Sequence, residues 1–415
     1  MKKTNILLGL FAFVSLSAQY QKKILNVVSN DLVYNAGTNK IFASIPASNG
    51  PNGNSLGIIN PVSGLLESTT FIGSDPTIMA ITENGKYIYT GFSGTNKIKR
   101  YVISSNATDQ EFDAGTDSYY GNYYPEDMAV KPGTDNVLVV SRYRKNVSPR
   151  HGGVIVIDNG IIKPSVTQDH TGSNKIEFST NPDWLYGWCT ESTEAGLRRL
   201  QMDNTGVKQV GVFQNVLPSF TQDFIHHNNK LYSTNGYGVN VVNAPYVEAQ
   251  FFNDRQGIPF FDVFNNKIVY AVYNSWTTGN VALRFYNPDT FLLENTVDIT
   301  ESQGSVKSLK GCGKDCFVLN TSDNKIVIVS KPNLATEEIA TKDVSVFPNP
   351  AKDFVRIESK ENFKDFKLYD QSGRLVKTGS VNSNKVDLKQ IKSGSYILEL
   401  TNSNNQSLTK KIIKE

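Results

Sequence analysis

A carboxylate recurs at one position of a repeated phrase in this sequence, and its spacing suits chemistry better than that of any other side chain. Each acid precedes a short apolar or aromatic segment, and the four are Asp31 (DLVY), Asp127 (DMAV), Asp223 (DFIH) and Asp262 (DVFN). Glu177 stands in a similar place in another unit. If these segments lie side by side, the converging carboxylates are hydrated, protonated or bridged by a cation, and their oxygens suit Ca²⁺. The alternative is that Asp is simply favoured in the turn before a strand.

A second group of candidate residues lies at 141–153, in the stretch SRYRKNVSPRHGG. Its basic and aromatic side chains are Arg142, Tyr143, Arg144, Arg150 and His151. We predict that this stretch is an exposed loop, and exposed loops often carry the residues that recognise a ligand. A basic and aromatic loop suits an anionic sugar, a phosphate or an acidic protein, whereas a merely solvated loop is the alternative.

Other side chains give weaker indications of chemistry. His226 and His227 are adjacent on a predicted strand, where neighbours point to opposite faces and cannot easily share one metal ion. Three tryptophans either stack on sugar rings or fill the core, and they are Trp184, Trp188 and Trp276. The sequence has no HExxH or P-loop motif, so zinc-protease and P-loop nucleotide chemistry are not indicated.

The elements that position these residues are repeated β-strands. The stretch Asp75–Val102 holds three predicted strands separated by turns rich in Gly, Asn and Asp, and about seven such units follow one another at about 45 residues each. Four short antiparallel strands per unit at that period are typical of a β-propeller. The last unit lacks one strand. We expect Lys22–Ser29 to supply it and close the ring, which removes exposed sheet edges.

One phrase of the repeat has a counterpart in known propellers. Residues Pro76–Tyr89 read P-x-x-M-A-I-x-x-x-G-K-Y-I-Y, which resembles the YVTN-type repeat of lactonase-like and quinoprotein-like propellers. The resemblance implies the fold, and lactonase-like propellers place a divalent cation in the central channel. It implies no particular activity, because propellers serve as enzymes, lectins and plain binding scaffolds.

The composition narrows the choice of partners and compartment. The chain has 42 basic and 39 acidic residues, so it lacks the basic surplus that nucleic-acid binding requires. Its 19 Tyr and 22 Phe favour β-strands. Cys312 and Cys316 lie in GCGKDC between two predicted strands, and we expect a disulfide between them if the compartment is oxidising.

The N-terminus has the layout of a cleavable secretory signal. Two lysines, Lys2 and Lys3, precede an apolar run from Ile6 to Leu16, and small residues lead to Ala18. The apolar run is too short for a stable membrane span. We therefore expect cleavage after Ala18 and no transmembrane helix in the mature chain.

A small second β-domain is predicted at the C-terminus. Segments such as VSVFPNPAKDFVRIES and VDLKQIKSGSYILELTN indicate about seven short strands in about 70 residues, which fits a small β-sandwich. The tail resembles the type A C-terminal sorting domain of the type IX (Por) secretion system of Bacteroidetes. The positions that carry the resemblance include Pro348, Asn349, Pro350, Gly373, Gly394 and Tyr396. It implies recognition by the secretion machinery and delivery across the outer membrane, after which the protein is released or attached to the surface.

These observations predict an all-β protein with a signal peptide (1–18), a β-propeller of about seven blades (19–340) and a C-terminal sorting β-sandwich (341–415). The first functional hypothesis is a secreted or surface-attached module that binds an extracellular glycan or protein without catalysis. The second is a metal-assisted hydrolase of the lactonase or esterase class, in which the acids hold a cation that activates water or polarises a carbonyl. The third is a structural surface or adhesion protein.

Overall fold

The structure is a computed structural model of the chain. It describes residues 19–219, 221–253, 255–273, 279–331, 344–359, 362–370, 374–402 and 407–415. The described residues fall into two compact units, Tyr20–Lys331 and a C-terminal unit whose described part begins at Val344. The predicted signal peptide and the predicted domain boundary at residues 340 and 341 lie outside the described residues.

The described residues of the unit Tyr20–Lys331 form seven antiparallel sheets, which we number as blades 1 to 7 in chain order. After β1 (Gln21–Leu25), blade 1 consists of β2 (Leu32–Asn35), β3 (Lys40–Ile45), β4 (Ser55–Asn60) and β5 (Leu65–Phe71), and blade 2 of β6 (Pro76–Ile81), β7 (Tyr87–Phe92), β8 (Lys97–Val102) and β9 (Ala107–Asp113). Blade 3 consists of β10 (Thr116–Asp117), β11 (Gly121–Val130), β12 (Val137–Arg144), β13 (His151–Asp158) and β14 (Ile161–Ile162). A short 3₁₀ helix, Ala47–Asn52, lies between β3 and β4.

Blades 4 to 7 complete the series. Blade 4 consists of β15 (Lys175–Phe178), β16 (Trp184–Trp188), β17 (Gly196–Asp203) and β18 (Gly206–Gln214), and blade 5 of β19 (Phe224–His227), β20 (Lys230–Ser233), β21 (Tyr237–Asn240) and β22 (Tyr246–Gln250). Blade 6 consists of β23 (Gln256–Asp262), β24 (Lys267–Tyr273), β25 (Val281–Tyr286) and β26 (Leu293–Ile299), and blade 7 of β27 (Val306–Gly311), β28 (Cys316–Thr321), β29 (Ile326–Ser330) and β1. The strands that line a central channel are β2, β6, β11, β15, β19, β23 and β27. This arrangement is the predicted seven-bladed β-propeller.

The N-terminal strand closes the ring as predicted. β1 pairs antiparallel with β29 and so becomes the outermost strand of blade 7. Lys22 of this strand forms a 3.0 Å ion pair with Glu301, and the ring of Tyr20 stacks on Phe285 at 5.7 Å. The first and last strands of the propeller therefore stabilise each other, because β29 is paired on both sides and β1 forms the outer edge of blade 7.

The blades are held together by apolar side chains on both faces of their central strands. Every residue of β24 after Lys267 is buried, which is typical of a strand covered on both sides. One buried cluster joins blades 6 and 7 through Val269, Leu283, Phe317 and Leu319. Burying one such side chain contributes roughly 1.5–3 kcal/mol, so each interface between blades stabilises the ring.

Blade 3 is longer than the others. Its strands β11, β12 and β13 have 10, 8 and 8 residues. β11 starts at Gly121, six positions before Asp127, whereas β2 starts one position after Asp31. We call the channel end at which the innermost strands begin the upper end. Blade 3 therefore projects beyond the upper end, and we call this part, residues 116–124 and 142–152, the blade 3 extension.

In its described part, the C-terminal unit forms two antiparallel sheets. Its strands are β30 (Val344–Phe347), β31 (Phe354–Ser359), β32 (Phe363–Tyr369), β33 (Leu375–Ser380), β34 (Lys385–Asp387), β35 (Gly394–Asn402) and β36 (Ser407–Lys414). The sheets have the orders β30-β31-β34 and β33-β32-β35-β36, and residues such as Val355, Leu368 and Leu398 form one buried core between them. The unit is the predicted small β-sandwich. Within the ranges that the structure describes, no helix is long and apolar enough to span a membrane.

Candidate functional site

The candidate site is the central channel, a cavity of about 600 Å³ enclosed by the innermost strands. One position of each blade points into it at the upper end. In the order of the blades, these residues are Asp31, Ile78, Asp127, Lys175, Asp223, Ile258 and Lys307. Three of the four predicted acids therefore do converge. In blade 4 the equivalent residue is Lys175, and Glu177 lies two positions further along the same strand, where it also lines the channel.

Asp31 and Asp127 use their carboxylates to join consecutive blades. In Asp31, Oδ1 accepts the backbone N–H of Leu32 at 2.8 Å, and Oδ2 accepts that of Met79 in blade 2 at 2.9 Å. In Asp127, Oδ1 accepts the N–H of Met128 at 3.0 Å and Oδ2 that of Ile176 in blade 4 at 2.9 Å. Each carboxylate therefore satisfies two inward-pointing backbone donors, one of its own blade and one of the next.

Asp223 breaks this pattern because the next blade offers no donor. Its Oδ1 accepts the N–H of Phe224 at 2.8 Å, as in the other two blades. Met79 and Ile176 each pair with the fourth residue of the second strand of their blade. In blade 6 the residue paired in this way is Pro259, which is therefore the equivalent of Met79 and Ile176. Proline has no N–H. Oδ2 of Asp223 instead faces Lys175, with Nζ at 3.7 Å.

Asp262 does not join the other three acids, and the prediction that it would is wrong. It lies at the end of β23, away from the channel, where Oδ1 accepts the N–H of Phe264 at 3.1 Å and Oδ2 accepts Nδ2 of Asn265 at 2.8 Å. It is therefore a turn residue of the β23–β24 hairpin, which is the alternative considered above.

The residues do not fit the predicted Ca²⁺ site. Within the described ranges, no three His, Cys, Asp or Glu side chains lie close enough together to hold a metal ion. The physical reason is that the oxygens of Asp31 and Asp127 already accept backbone N–H groups, while Lys175 occupies the space between Asp127 and Asp223 with a positive charge.

The channel charges depend strongly on one another. Burial works against the charge of Lys175, but the carboxylates of Asp223, Asp127 and Glu126 outweigh it and raise the pKa of the ammonium group. Burial and the nearby Asp127 and Asp223 raise the pKa of Glu177 to about 8. Burial is also the main reason why the pKa of Asp127 rises to about 7, against the pull of Lys175 and two backbone N–H groups. Glu177 and part of Asp127 are thus protonated near neutral pH.

A second cavity of about 440 Å³ adjoins the upper end of the channel at blades 5 to 7. The two cavities share Lys175, Asp223, Ile258 and Lys307. The second is otherwise lined mainly by polar side chains, namely Gln222, Gln256, Tyr273 and Ser305, together with Val306. The hydroxyl of Tyr273 lies 3.1 Å from Oε1 of Gln256 and 3.5 Å from Oε1 of Gln222. Sequence reasoning missed these residues because they share no motif and meet only in the ring.

The prediction of an exposed basic loop in blade 3 is wrong for three of its five residues. Arg142, Arg144 and His151 are only 7%, 5% and 1% exposed. The reason is that β12 continues to Arg144 and β13 begins at His151, so that only 145–150 form a loop.

The buried arginines hold the blade 3 extension together. Arg142 donates to the carbonyls of Ala114 and Gly152, while Arg144 donates to Asp169 at 2.7 Å and to the hydroxyl of Tyr123 at 2.8 Å. Burial lowers the pKa of His151 to about 3, so its ring is neutral.

Tyr143, which is partly exposed, and Arg150, which is exposed, belong to a row of contacting rings and cationic side chains. Nζ of Lys145 lies 3.9 Å from the ring of Tyr124, the rings of Tyr124 and Tyr143 are 5.6 Å apart, and the guanidinium of Arg150 lies 4.7 Å from Tyr143. Arg150 also donates to Oε1 of Glu126 at 2.9 Å, and Glu126 lines the channel. This row, which we call the tyrosine row, therefore leads to the upper end of the channel.

Other sequence candidates take structural roles. Trp188 is fully buried among residues of blades 4 and 5, and His226 and His227 stack on different partners, Tyr186 and Phe261. The predicted disulfide between Cys312 and Cys316 is present. Trp276 and Gly373 lie outside the described residues.

One pentapeptide has the spacing of a serine-hydrolase motif, Gly53-Asn54-Ser55-Leu56-Gly57. Its serine is 5% exposed, begins β4 and donates to the carbonyl of Gly53. A nucleophile elbow requires an exposed serine on a turn from a strand to a helix, and this strand lacks that geometry.

In the C-terminal unit, the predicted motif residues lie around the last strand. The side chain of Asn349 accepts the N–H of Ile413 at 2.8 Å and donates to the carbonyl of Lys411 at 3.0 Å, as a neighbouring strand would. Pro348 and Pro350 flank it. Gly394 begins β35, and the hydroxyl of Tyr396 donates to the carbonyl of Lys392 at 2.8 Å. The motif therefore covers one edge of β36.

Comparison with known proteins gives one family match and one relative by sequence. Residues 345–415 match the family described as a secretion system C-terminal sorting domain. An endo-acting ulvan lyase of Formosa agariphila is 32% identical over 102 residues, which are 23% of this chain and 20% of the length of that protein. The chain thus spans only a small part of this relative.

Two solved structures are similar to the chain in fold. They are the hydrazine synthase of Kuenenia stuttgartiensis and the β-propeller domain of Cps50 (Swd1) from Myceliophteria thermophila, each with a TM-score of 0.56 at 11% identity. They cover 73% and 75% of this chain, and the chain covers 95% and 99% of theirs. At that identity the likeness shows the propeller fold alone, and the similarity to YVTN-type repeats stays a prediction. The chain is therefore a β-propeller that ends in a sorting domain of the type IX secretion system, and this tail directs it to the cell surface or beyond.

Proposed function

We propose that this protein is an extracellular binding module whose propeller holds a glycan at the upper end of its channel. The observation that carries this proposal is the pair of adjoining cavities, about 600 and 440 Å³, which share Lys175, Asp223, Ile258 and Lys307. Concave sites with a few convergent polar groups are the usual form of a ligand site. Carboxylate, ammonium and amide groups together match the donors and acceptors of sugar hydroxyls.

The tyrosine row gives a second, independent reason to favour a glycan. Tyr124 and Tyr143 are half-buried at the surface of the blade 3 extension, and Arg150 links the row to Glu126 in the channel. Aromatic side chains combine an apolar face with a polar tip, which suits the mixed surface of a sugar chain. A glycan seated in the channel mouth can therefore extend over this row.

The geometry favours binding over metal-assisted hydrolysis. A hydrolase of that class needs carboxylates available to a cation, but both oxygens of Asp31 and both of Asp127 accept backbone N–H groups. Secretion to the cell surface agrees with a role in capturing extracellular material, and a protein ligand or a purely structural role remains an outcome of the test.

The test is binding of the purified protein to an array of immobilised oligosaccharides. We expect wild-type protein to bind at least one glycan class and Gln256→Ala to weaken that binding about tenfold. Gln250→Ala is the matched control, because Gln250 is an exposed residue of the outer strand β22. Equal glycan binding by both variants would show that the binding site does not include Gln256 and lies elsewhere on the protein. Failure to bind any glycan, with capture of a defined extracellular protein instead, would replace this proposal by the protein-binding hypothesis.

A further inference from the structure

The three channel aspartates are equivalent in sequence but not in structure. Asp31 and Asp127 each accept two backbone N–H groups, one in their own blade and one in the next. Asp223 accepts one, from Phe224, and among the described residues no backbone N–H donates to its Oδ2. Asp31 is buried, Asp127 and Asp223 are both partly exposed, and the side chain of Asp223 is 42% exposed.

The cause of this difference is a single residue of the neighbouring blade. Pro259 occupies the position at which Met79 and Ile176 offer their N–H groups to the preceding aspartate. Proline is tolerated here because the missing donor of this strand would point into the channel and not toward β24. Pro259 therefore leaves one carboxylate oxygen available at the junction of the two cavities, which both include Asp223.

The surroundings of this oxygen indicate what it can bind. Nζ of Lys175 lies 3.7 Å away, so an acceptor and a donor stand side by side at a spacing that two adjacent hydroxyl groups can match. The channel is lined by five carboxylic acids and three lysines. Because Glu177 and part of Asp127 are protonated near pH 7, these charges come close to balance, so the channel has no positive excess to attract an anionic ligand. Apolar residues such as Ile258 complete the wall and suit the carbon face of a sugar ring.

We infer that Asp223 is the recognition residue of the site, and that with Lys175 it binds vicinal hydroxyls of a neutral sugar because Pro259 releases it from the role that Asp31 and Asp127 play. This inference rests on the proposed glycan-binding function and names the ligand class and the residue. It also assigns opposite roles to chemically identical side chains, of which two position the blades and one contacts the ligand.

Two measurements on the full protein test this inference. In the first, carbodiimide-activated labelling with an amine, read by mass spectrometry, reports the reactivity of each carboxylate without any ligand. We expect Asp223 to be labelled several-fold faster than Asp31 and Asp127. Pro259→Ala restores an N–H at that position, and we expect it to slow the labelling of Asp223 severalfold. Labelling of Asp223 at the wild-type rate in this variant would show that Pro259 does not release it.

In the second measurement, calorimetric titration uses five defined probes, the pentasaccharides of cellulose, laminarin, mannan and xylan and the acidic pentamer of polygalacturonate. We expect a neutral probe to bind wild type and the control Asp262→Asn equally, and to bind Asp223→Asn and Pro259→Ala at least tenfold more weakly. Unchanged binding in both variants would refute the role of Asp223 while leaving the glycan-binding function in place. Binding of the acidic pentamer alone would refute the neutral-sugar assignment, and binding of none would refute the proposed function itself.

Discussion

Replacing Asp31 by Asn is the perturbation that most sharply separates a structural aspartate from a ligand-binding one. Asn keeps the shape of the side chain and one oxygen, which can still accept the N–H of Leu32. Its amide nitrogen then faces the N–H of Met79, so two donors oppose each other at a place where the carboxylate now accepts at 2.9 Å. This donor is buried, so the substitution leaves it without its acceptor.

The expected magnitude follows from the cost of an unsatisfied buried donor, which is about 1–3 kcal/mol. We therefore expect Asp31→Asn to lower the free energy of unfolding by about 2 kcal/mol. Asp223→Asn is the matched control. No described backbone donor faces Oδ2 of Asp223, and its 3.7 Å contact to Lys175 is long and partly exposed. Asp127 and Glu126 remain beside Lys175 to compensate its charge, so we expect a loss below about 1 kcal/mol.

The assay is urea unfolding at pH 7 followed by tryptophan fluorescence. All three tryptophans, Trp184, Trp188 and Trp276, lie within the propeller part of the sequence, so the signal reports the propeller and not the sorting domain. A lower midpoint for Asp31→Asn than for Asp223→Asn, with unchanged slopes, is the predicted result. Equal midpoints for the two variants would refute the assignment of Asp31 as a bridge between blades.

Three further predictions concern other parts of the chain. Burial raises the pKa of Glu177 to about 8, above its value of about 4.3 in the unfolded chain, so this group stabilises the fold at low pH and its contribution is lost as the pH rises toward 8. Glu177→Gln should therefore flatten the decline in the free energy of unfolding between about pH 5 and 8. An unaltered pH profile would contradict the pKa shift. Arg144→Met removes the contacts to Asp169 and Tyr123, so hydrogen exchange in the blade 3 extension should accelerate at least tenfold while the other blades stay protected; uniform protection would show that Arg144 is dispensable. Asn349→Ala deletes two hydrogen bonds to β36 and should speed amide exchange at Ile413, with less protein reaching the cell surface; normal exchange and delivery would argue against its role as an edge cover.

Much of the fold follows from local sequence, because turns rich in Gly, Asn and Asp between short β-branched and aromatic segments specify antiparallel strands one unit at a time. The closing strand was also predictable, since the last unit was one strand short and Lys22–Ser29 had no unit of its own. The register of blade 6 was not predictable from the sequence, because Asp262 and Pro259 lie within one apolar strand. Only the pairing of Pro259 with Tyr270 shows which of them faces the channel.

The site was less predictable, for physical reasons that concern distances between blades. A recurring acid indicates convergence, but whether its oxygens are available depends on N–H groups of another blade, such as those of Met79 and Ile176. Likewise, the string of basic residues in blade 3 looked like an exposed loop. Alternate side chains of the extended strand β12 are buried there, and Arg142 and Arg144 satisfy themselves with carbonyls, a tyrosine and an aspartate.

Hydrogen exchange with and without a soluble neutral oligosaccharide mixture tests whether ligand binds at the upper end of the channel on blades 5 to 7. We expect slower exchange in the segments 222–225, 256–260 and 305–310, which contain the residues that line the two cavities in these blades, with little change on the outer strands. Protection confined to the outer strands, or none at saturating sugar, would contradict the claim.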